Sequence, residues 1–199
     1  MATIARCTPL DPQAGSYRLS VHQYERMGEA GILTEEDRVE LVGGDLVRKM
    51  TKGQPHTAAI VETRDALLRV LPSGWHLQQE GPVRIPPFDE PEPDLAVVRG
   101  RSRDYVALKR PPEPQDIAMV IEVADASLGR DRGEKRRAYA QGRIPIYWIV
   151  NLVDRRLEVY TKPQDLGYAD CQVLGPDEAV PVVIDQSIVG SISVAELLP

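Results

Sequence analysis

The chain reads as an α/β protein of the α+β kind, a mixed β-sheet flanked by helices, and three observations predict it. The run Ile117 to Val123 is apolar on both alternating faces except at Glu122, the mark of a central strand covered on both sides. A long helical period over Gln54 to Leu71 precedes a set of short strands. A shorter helix then stands between two buried strands, so the centre runs helix, three strands, helix, strand. An N-terminal helix with a β-hairpin and extra C-terminal strands extend this core.

Residues 1–18, with Pro9, Pro12 and Gly15, are expected as an irregular arm, and residues 19–199 as one domain, because no linker or internal repeat divides them. Ser20 is placed to cap a helix from Val21 to Ala30, with Gln23 completing a capping box and Gly31 ending it. The segment RVELV, then Gly43-Gly44, then DLVRKM predicts a two-residue β-hairpin. In the long helix, Ala58, Val61, Leu68 and Leu71, with Ile60 and Leu67 beside them, form the expected apolar stripe, and Pro72 and Gly74 stop it. Strands follow over Trp75 to Glu80, Val83 to Pro86 and Asp94 to Arg99, and the charged, proline-bearing residues 100–115 read as a loop.

After the Ile117 to Val123 strand, Asp131 is positioned as the N-cap of a helix from Arg132 to Gln141, with Gly142 just past its end. IPIYWIV is a second buried strand and RRLEVY its hairpin partner. The tail adds short strands at Tyr168 to Leu174 and Val180 to Ile184 and a helical turn at Val194 to Leu198.

Apolar residues make up 42% and charged residues 27% of the 199, the balance of an ordinary folded protein, so disorder is not indicated. No apolar run approaches the roughly eighteen residues that span a bilayer, and MATIARCTPL lacks a signal-peptide core. A cytoplasmic protein with no membrane partner is the expectation. Cys7 and Cys171 sit in no metal or redox spacing and read as free thiols. The net charge of −6 counts against a broadly basic nucleic-acid surface. Two local clusters run the other way, one at Arg99, Arg101, Arg103, Lys109 and Arg110 and one from Arg130 to Arg143.

Three groups carry the chemistry. Glu122 lies within a strand apolar on both faces, so its charge has to be neutralised, paired or bound to a metal, and a buried ion pair with an arginine is the bland alternative. Asp94 follows Pro93 at the start of a strand, where a turn aspartate is also common. The two acids could meet at adjacent strand positions, where mutual repulsion is relieved by a hard divalent cation. Lys135 lies four residues after Asp131 and four before Tyr139, all on one helix face, and a solvated basic helix is its alternative reading.

PEPDLAVV, IEVADAS with the following D-x-x-x-K-x-x-x-Y, and YAQGRIPIYWIVN together resemble the Uma family of restriction-endonuclease-like proteins, within the PD-(D/E)XK nuclease superfamily. The hairpin RVELVGGDLVRKM followed by His56 is similar to the same family, and the likeness spans about residues 20–160. The resemblance implies a restriction-endonuclease-like core and Mg²⁺- or Mn²⁺-dependent hydrolysis of DNA, with a homodimer common among such nucleases and no small organic cofactor. It implies Asp94 and Glu122 as metal ligands with the Val123 carbonyl as a third, and roles for Lys135, Glu40 and His56. The superfamily's lysine two residues after the glutamate is Ala124 here, which makes Lys135 the substitute. A nuclease fold serving as a non-catalytic binding or regulatory module is the alternative function.

Overall fold

The computed structural model describes residues 17–199. The expected arm over 1–18 therefore lies, except for Tyr17 and Arg18, outside the described residues, as does Cys7. Helix α1 (Val21–Glu29) starts on the predicted capping box: the Gln23 N–H donates to Ser20 Oγ at 3.3 Å and the Ser20 N–H donates to Gln23 Oε1 at 2.9 Å. Strands β1 (Val39–Val42) and β2 (Asp45–Arg48) form the expected hairpin. Gly43 and Gly44 both take positive φ there, 63° and 87°, as the tight right-twisted turn requires.

Helix α2 (Gln54–Leu68) forms and buries Ile60 and Leu67 as expected, but its inner face is rotated from the rest of the expected stripe. His56, Ala59, Ile60, Thr63, Ala66 and Leu67 turn inward, while Val61 and Leu68 are exposed at 36% and 52%. Both stripes have helical spacing, and only the packing partner chooses between them.

The main sheet has six strands in the order β3 (Trp75–Gln79), β4 (Leu95–Arg99), β5 (Ile117–Ala124), β6 (Ile146–Asn151), β7 (Arg156–Gln164) and β8 (Gly167–Leu174). Every pairing is antiparallel except β5 with β6, which run parallel and need a crossover. That crossover is helical from residue 128: α4 (Leu128–Arg130), a π turn (Asp131–Lys135) and α5 (Arg136–Gln141) follow one another without a break. Asp131 is thus not the N-cap. Its side chain accepts a 2.6 Å hydrogen bond from Ser127 Oγ, one turn earlier, and is buried.

All eight residues of β5 are buried, as its pattern predicts. A bulge at Ala118, between the Val97–Met119 and Val98–Ile117 pairs, reverses the alternation at the start of the strand. Ile117 therefore packs with Val120 and Ala124 on one face, and Ala118 joins Met119, Ile121 and Val123 on the other. The latter face is covered by α2 and by the hairpin of β9 (Ala179–Ile184) and β10 (Ser187–Ser193), the former by Tyr139 and Ile144 of the crossover.

Two further expectations give way, and one strand is an addition. Residues 83–86 form no strand, only an isolated bridge from Ile85 to Asp89. Within the expected loop at 100–115 lies helix α3 (Ser102–Leu108), which has no apolar stripe because little but Tyr105 packs inward; Val106 is 77% exposed. β10 was not foreseen. Its Gly190 lies so close to Val70 that a Cβ would fall 2.5 Å from Val70 Cγ1, so glycine is needed where the hairpin passes α2.

Candidate active site

β4 and β5 run antiparallel, and the register that pairs Leu95 with Ile121 brings Asp94, one residue earlier, beside Glu122. The Val123 N–H donates to Asp94 Oδ2 at 2.8 Å, so the two acidic positions are tied through backbone. Glu122 emerges on the face covered by the crossover, where Lys135 Nζ donates to its Oε1 at 2.9 Å and Tyr139 Oη donates to the same oxygen at 2.6 Å. Asp131 and Lys135, four apart at the two ends of the π turn, both line the site.

The N-terminal hairpin adds Glu40 from β1. Its Oε1 lies 3.2 Å from Lys135 Nζ, and its Oε2 accepts the Glu92 N–H at 2.9 Å. His56, in the first turn of α2, places Nε2 3.5 Å from Asp94 Oδ2, while its Nδ1 is buried with no partner among the described residues. All five sequence-predicted side chains, Asp94, Glu122, Lys135, Glu40 and His56, thus converge, and each is at most 9% exposed. They line a cleft of about 330 Å³ together with Asp131, Asp125, Glu80, Glu92, Lys49 and Lys52.

Two members were not anticipated in these positions. Lys52 donates to Asp94 Oδ1 at 2.7 Å and also pairs with Glu80. It sits in an irregular stretch between β2 and α2, where no periodicity marks it. Asp131 carried a signal, its spacing to Lys135 and Tyr139, but a capping role accounted for it equally well.

The electrostatics follow from an excess of acid. Burial pushes the Glu122 carboxyl up to about 8; Lys135 opposes this, and Asp131, Asp94 and Glu40 add to it. Burial likewise lifts Asp131 to about 6. At Asp94 burial also works upward, but His56 and Lys52 outweigh it and hold the carboxyl below its usual range. Burial disfavours the Lys135 ammonium, yet Glu122, Glu40 and Asp131 outweigh burial and keep it charged. Among these groups the Lys135 ammonium keeps its proton. Among the described residues no three His, Cys, Asp or Glu side chains close on one point as a metal site by themselves.

The two basic clusters have different addresses. β4 leads away from Asp94, so the cluster from Arg99 to Arg110 lies at the far end of the sheet, where Arg99 stacks on Trp75 and Arg110 pairs with Asp116. In the second cluster Arg130 and Lys135 line the cleft, and Arg132 turns to Glu158. Cys171 is free and exposed, and among the described residues no helix is long and apolar enough to cross a membrane.

Residues 21–189 match the model of a protein family described as "Uma2: Putative restriction endonuclease". A crystal structure from Anabaena variabilis ATCC 29413, described as "a putative nuclease belonging to DUF820", superposes with a TM-score of 0.64 at 15% identity. The match covers 90% of this chain and 97% of that one, a likeness of fold. No curated protein matches the chain.

Proposed function

The chain belongs to the Uma2 family, and from that premise we propose that it is a metal-dependent endonuclease that hydrolyses DNA phosphodiester bonds in the cleft at the ends of β4 and β5. One observation carries the reading: four buried carboxylates, Glu40, Asp94, Glu122 and Asp131, meet two ammonium groups, Lys52 and Lys135, in one cleft. Fully ionised, that set is short of two positive charges, the deficit a divalent cation fills.

The donor set fits such an ion. Both hydrogen bonds to Glu122 fall on Oε1, which leaves Oε2 for the cleft. The Ala124 carbonyl accepts from Leu152 on the β6 side, and strand alternation turns the Val123 carbonyl to the opposite side, with Asp94. Asp94, Glu122 and the Val123 carbonyl would therefore hold it, an all-oxygen set suited to Mg²⁺ or Mn²⁺. When bound, the ion lowers the pKa of a coordinated water and offsets charge on the phosphate.

The remaining chemistry belongs to the side chains. Lys135, fixed by Glu122 and Glu40, presents a permanent positive charge that stabilises the pentavalent phosphorane. Tyr139 sets the Glu122 rotamer through its 2.6 Å hydrogen bond. His56 approaches Asp94 through Nε2 and orients that carboxylate.

The test incubates purified protein and Mg²⁺ or Mn²⁺ with single-stranded, double-stranded and branched DNA. Cleavage that disappears in Glu122→Gln is expected. Uncut DNA of all three kinds, or full activity in Glu122→Gln, overturns the reading in favour of a non-catalytic binding module.

A further inference from the structure

Among the described residues, Lys52 is the one cleft cation that bonds directly to a proposed metal ligand while remaining partly open to solvent. Its ammonium holds Asp94 Oδ1 at 2.7 Å and pairs with Glu80, and its side chain is 33% exposed. Its counterpart Lys135 is enclosed at 8% and anchored by two glutamates. Lys52 is also tethered differently, on the short stretch 50–52 outside any helix or strand, between Lys49, whose N–H donates to the Arg38 carbonyl, and Gly53, the N-cap of α2, and its four-carbon stem is flexible. Lys49, just before that stretch, pairs with Glu92 and does not touch Asp94.

We propose that Lys52 is an exchangeable cation: it occupies Asp94 Oδ1 in competition with the divalent ion, and when the ion takes that oxygen the ammonium passes to a substrate phosphate. This inference rests on the nuclease reading above. Its physical basis is that Asp94 has only two oxygens. Oδ2 is committed to the Val123 N–H and faces His56, so an ion entering at Oδ1 meets the ammonium there. Two cations cannot share one lone-pair direction at contact distance. Once displaced, Lys52 keeps Glu80 as a rim partner and stands at the mouth of a cleft where Arg130 and Arg38 also lie, the position of a phosphate-binding group. The exchange would let an acidic cleft attract DNA only when its ion is in place.

Calorimetric titration of Mn²⁺ into the DNA-free protein tests the exchange without relying on turnover. Lys52→Met is expected to bind Mn²⁺ about three- to tenfold more tightly than wild type, the release of one competing, partly exposed ion pair. Lys52→Arg, which keeps the charge, should stay within about twofold of wild type, and so should Lys49→Met, which removes the same charge without touching Asp94. At saturating Mn²⁺, Lys52→Met should also lose about tenfold or more in kcat/KM on DNA despite its tighter ion. Equal or weaker Mn²⁺ binding in Lys52→Met, an equal gain in Lys49→Met, or unimpaired cleavage by Lys52→Met overturns the proposal. If wild type itself takes up no Mn²⁺, the nuclease reading fails first.

Discussion

Two buried glutamates on the same sheet are reached by side chains of the same crossover, and their environments are opposite. Glu158 on β7 is the arginine-paired acid that strand burial alone would suggest. Arg132 donates to both its oxygens at 2.6–3.1 Å, Asn151 Nδ2 to Oε1 at 2.9 Å and Tyr160 Oη to Oε2 at 2.7 Å. Burial pushes its carboxyl up, but these donors outweigh burial and hold it below the usual range. Glu122 on β5 receives both its bonds on one oxygen, shares Lys135 with Glu40, and is driven upward. A satisfied acid fastens helix to sheet, whereas an under-satisfied acid beside other acids keeps capacity for a further cation.

The largest expected effect separates the two. Glu122→Gln should lose about 10³-fold in Mn²⁺-dependent cleavage, about 4 kcal/mol of barrier, yet unfold within about 1 kcal/mol of wild type, since the amide oxygen still accepts from Lys135 and Tyr139. Cleavage rates and thermal denaturation check both halves. Glu158→Ala should do the reverse, losing about 3 kcal/mol of stability, because Arg132 loses its buried carboxylate and Tyr160 its acceptor. Its folded fraction should titrate Mn²⁺ like wild type, and loss of Mn²⁺ binding there would break the comparison.

Glu90 offers a third case. It is buried, its Oε2 has no partner among the described residues, and burial, with Glu25 and Glu92 adding and Arg84 opposing, pushes it up to about 7. A carboxyl raised on folding from 4.5 contributes stability that is present below pH 4.5 and lost as pH rises through 7. Glu90→Gln should therefore match wild type near pH 4 and exceed it by about 2–3 kcal/mol near pH 8, read from melting curves across that range. The smallest effect concerns a polar atom with no partner among the described residues and no place in the cleft. Thr63 Oγ1 is fully buried on the inner face of α2, and Thr63→Val should gain about 1 kcal/mol in denaturant unfolding.

Much of this was legible in the sequence, for reasons that are local. The Ser20 capping box, the Gly43-Gly44 turn and the doubly apolar β5 are set by neighbouring residues, and they form as read. Glu122 stood out because a lone acid in such a strand admits few explanations. What failed depended on partners distant in the chain. The face of α2 was decided by the β9–β10 hairpin and the sheet beneath it, the bulge at Ala118 by register with β4, and the start of the crossover by where Ser127 and Asp131 meet. Helix α3 escaped because an exposed helix writes no apolar stripe.

The sequence by itself determined the first helix's capping box, the β1–β2 turn, the buried central strands and the acids that burial would make costly, because periodicity and local chemistry are properties of neighbours. Only the tertiary structure decided which cations answer them. It sent Arg132 to Glu158, gave Lys135 to Glu122 and Glu40, and brought Lys52 from outside any regular element onto Asp94. Charges meet through space, and their pairing is settled by how the hairpin, the two helices and the sheet come together.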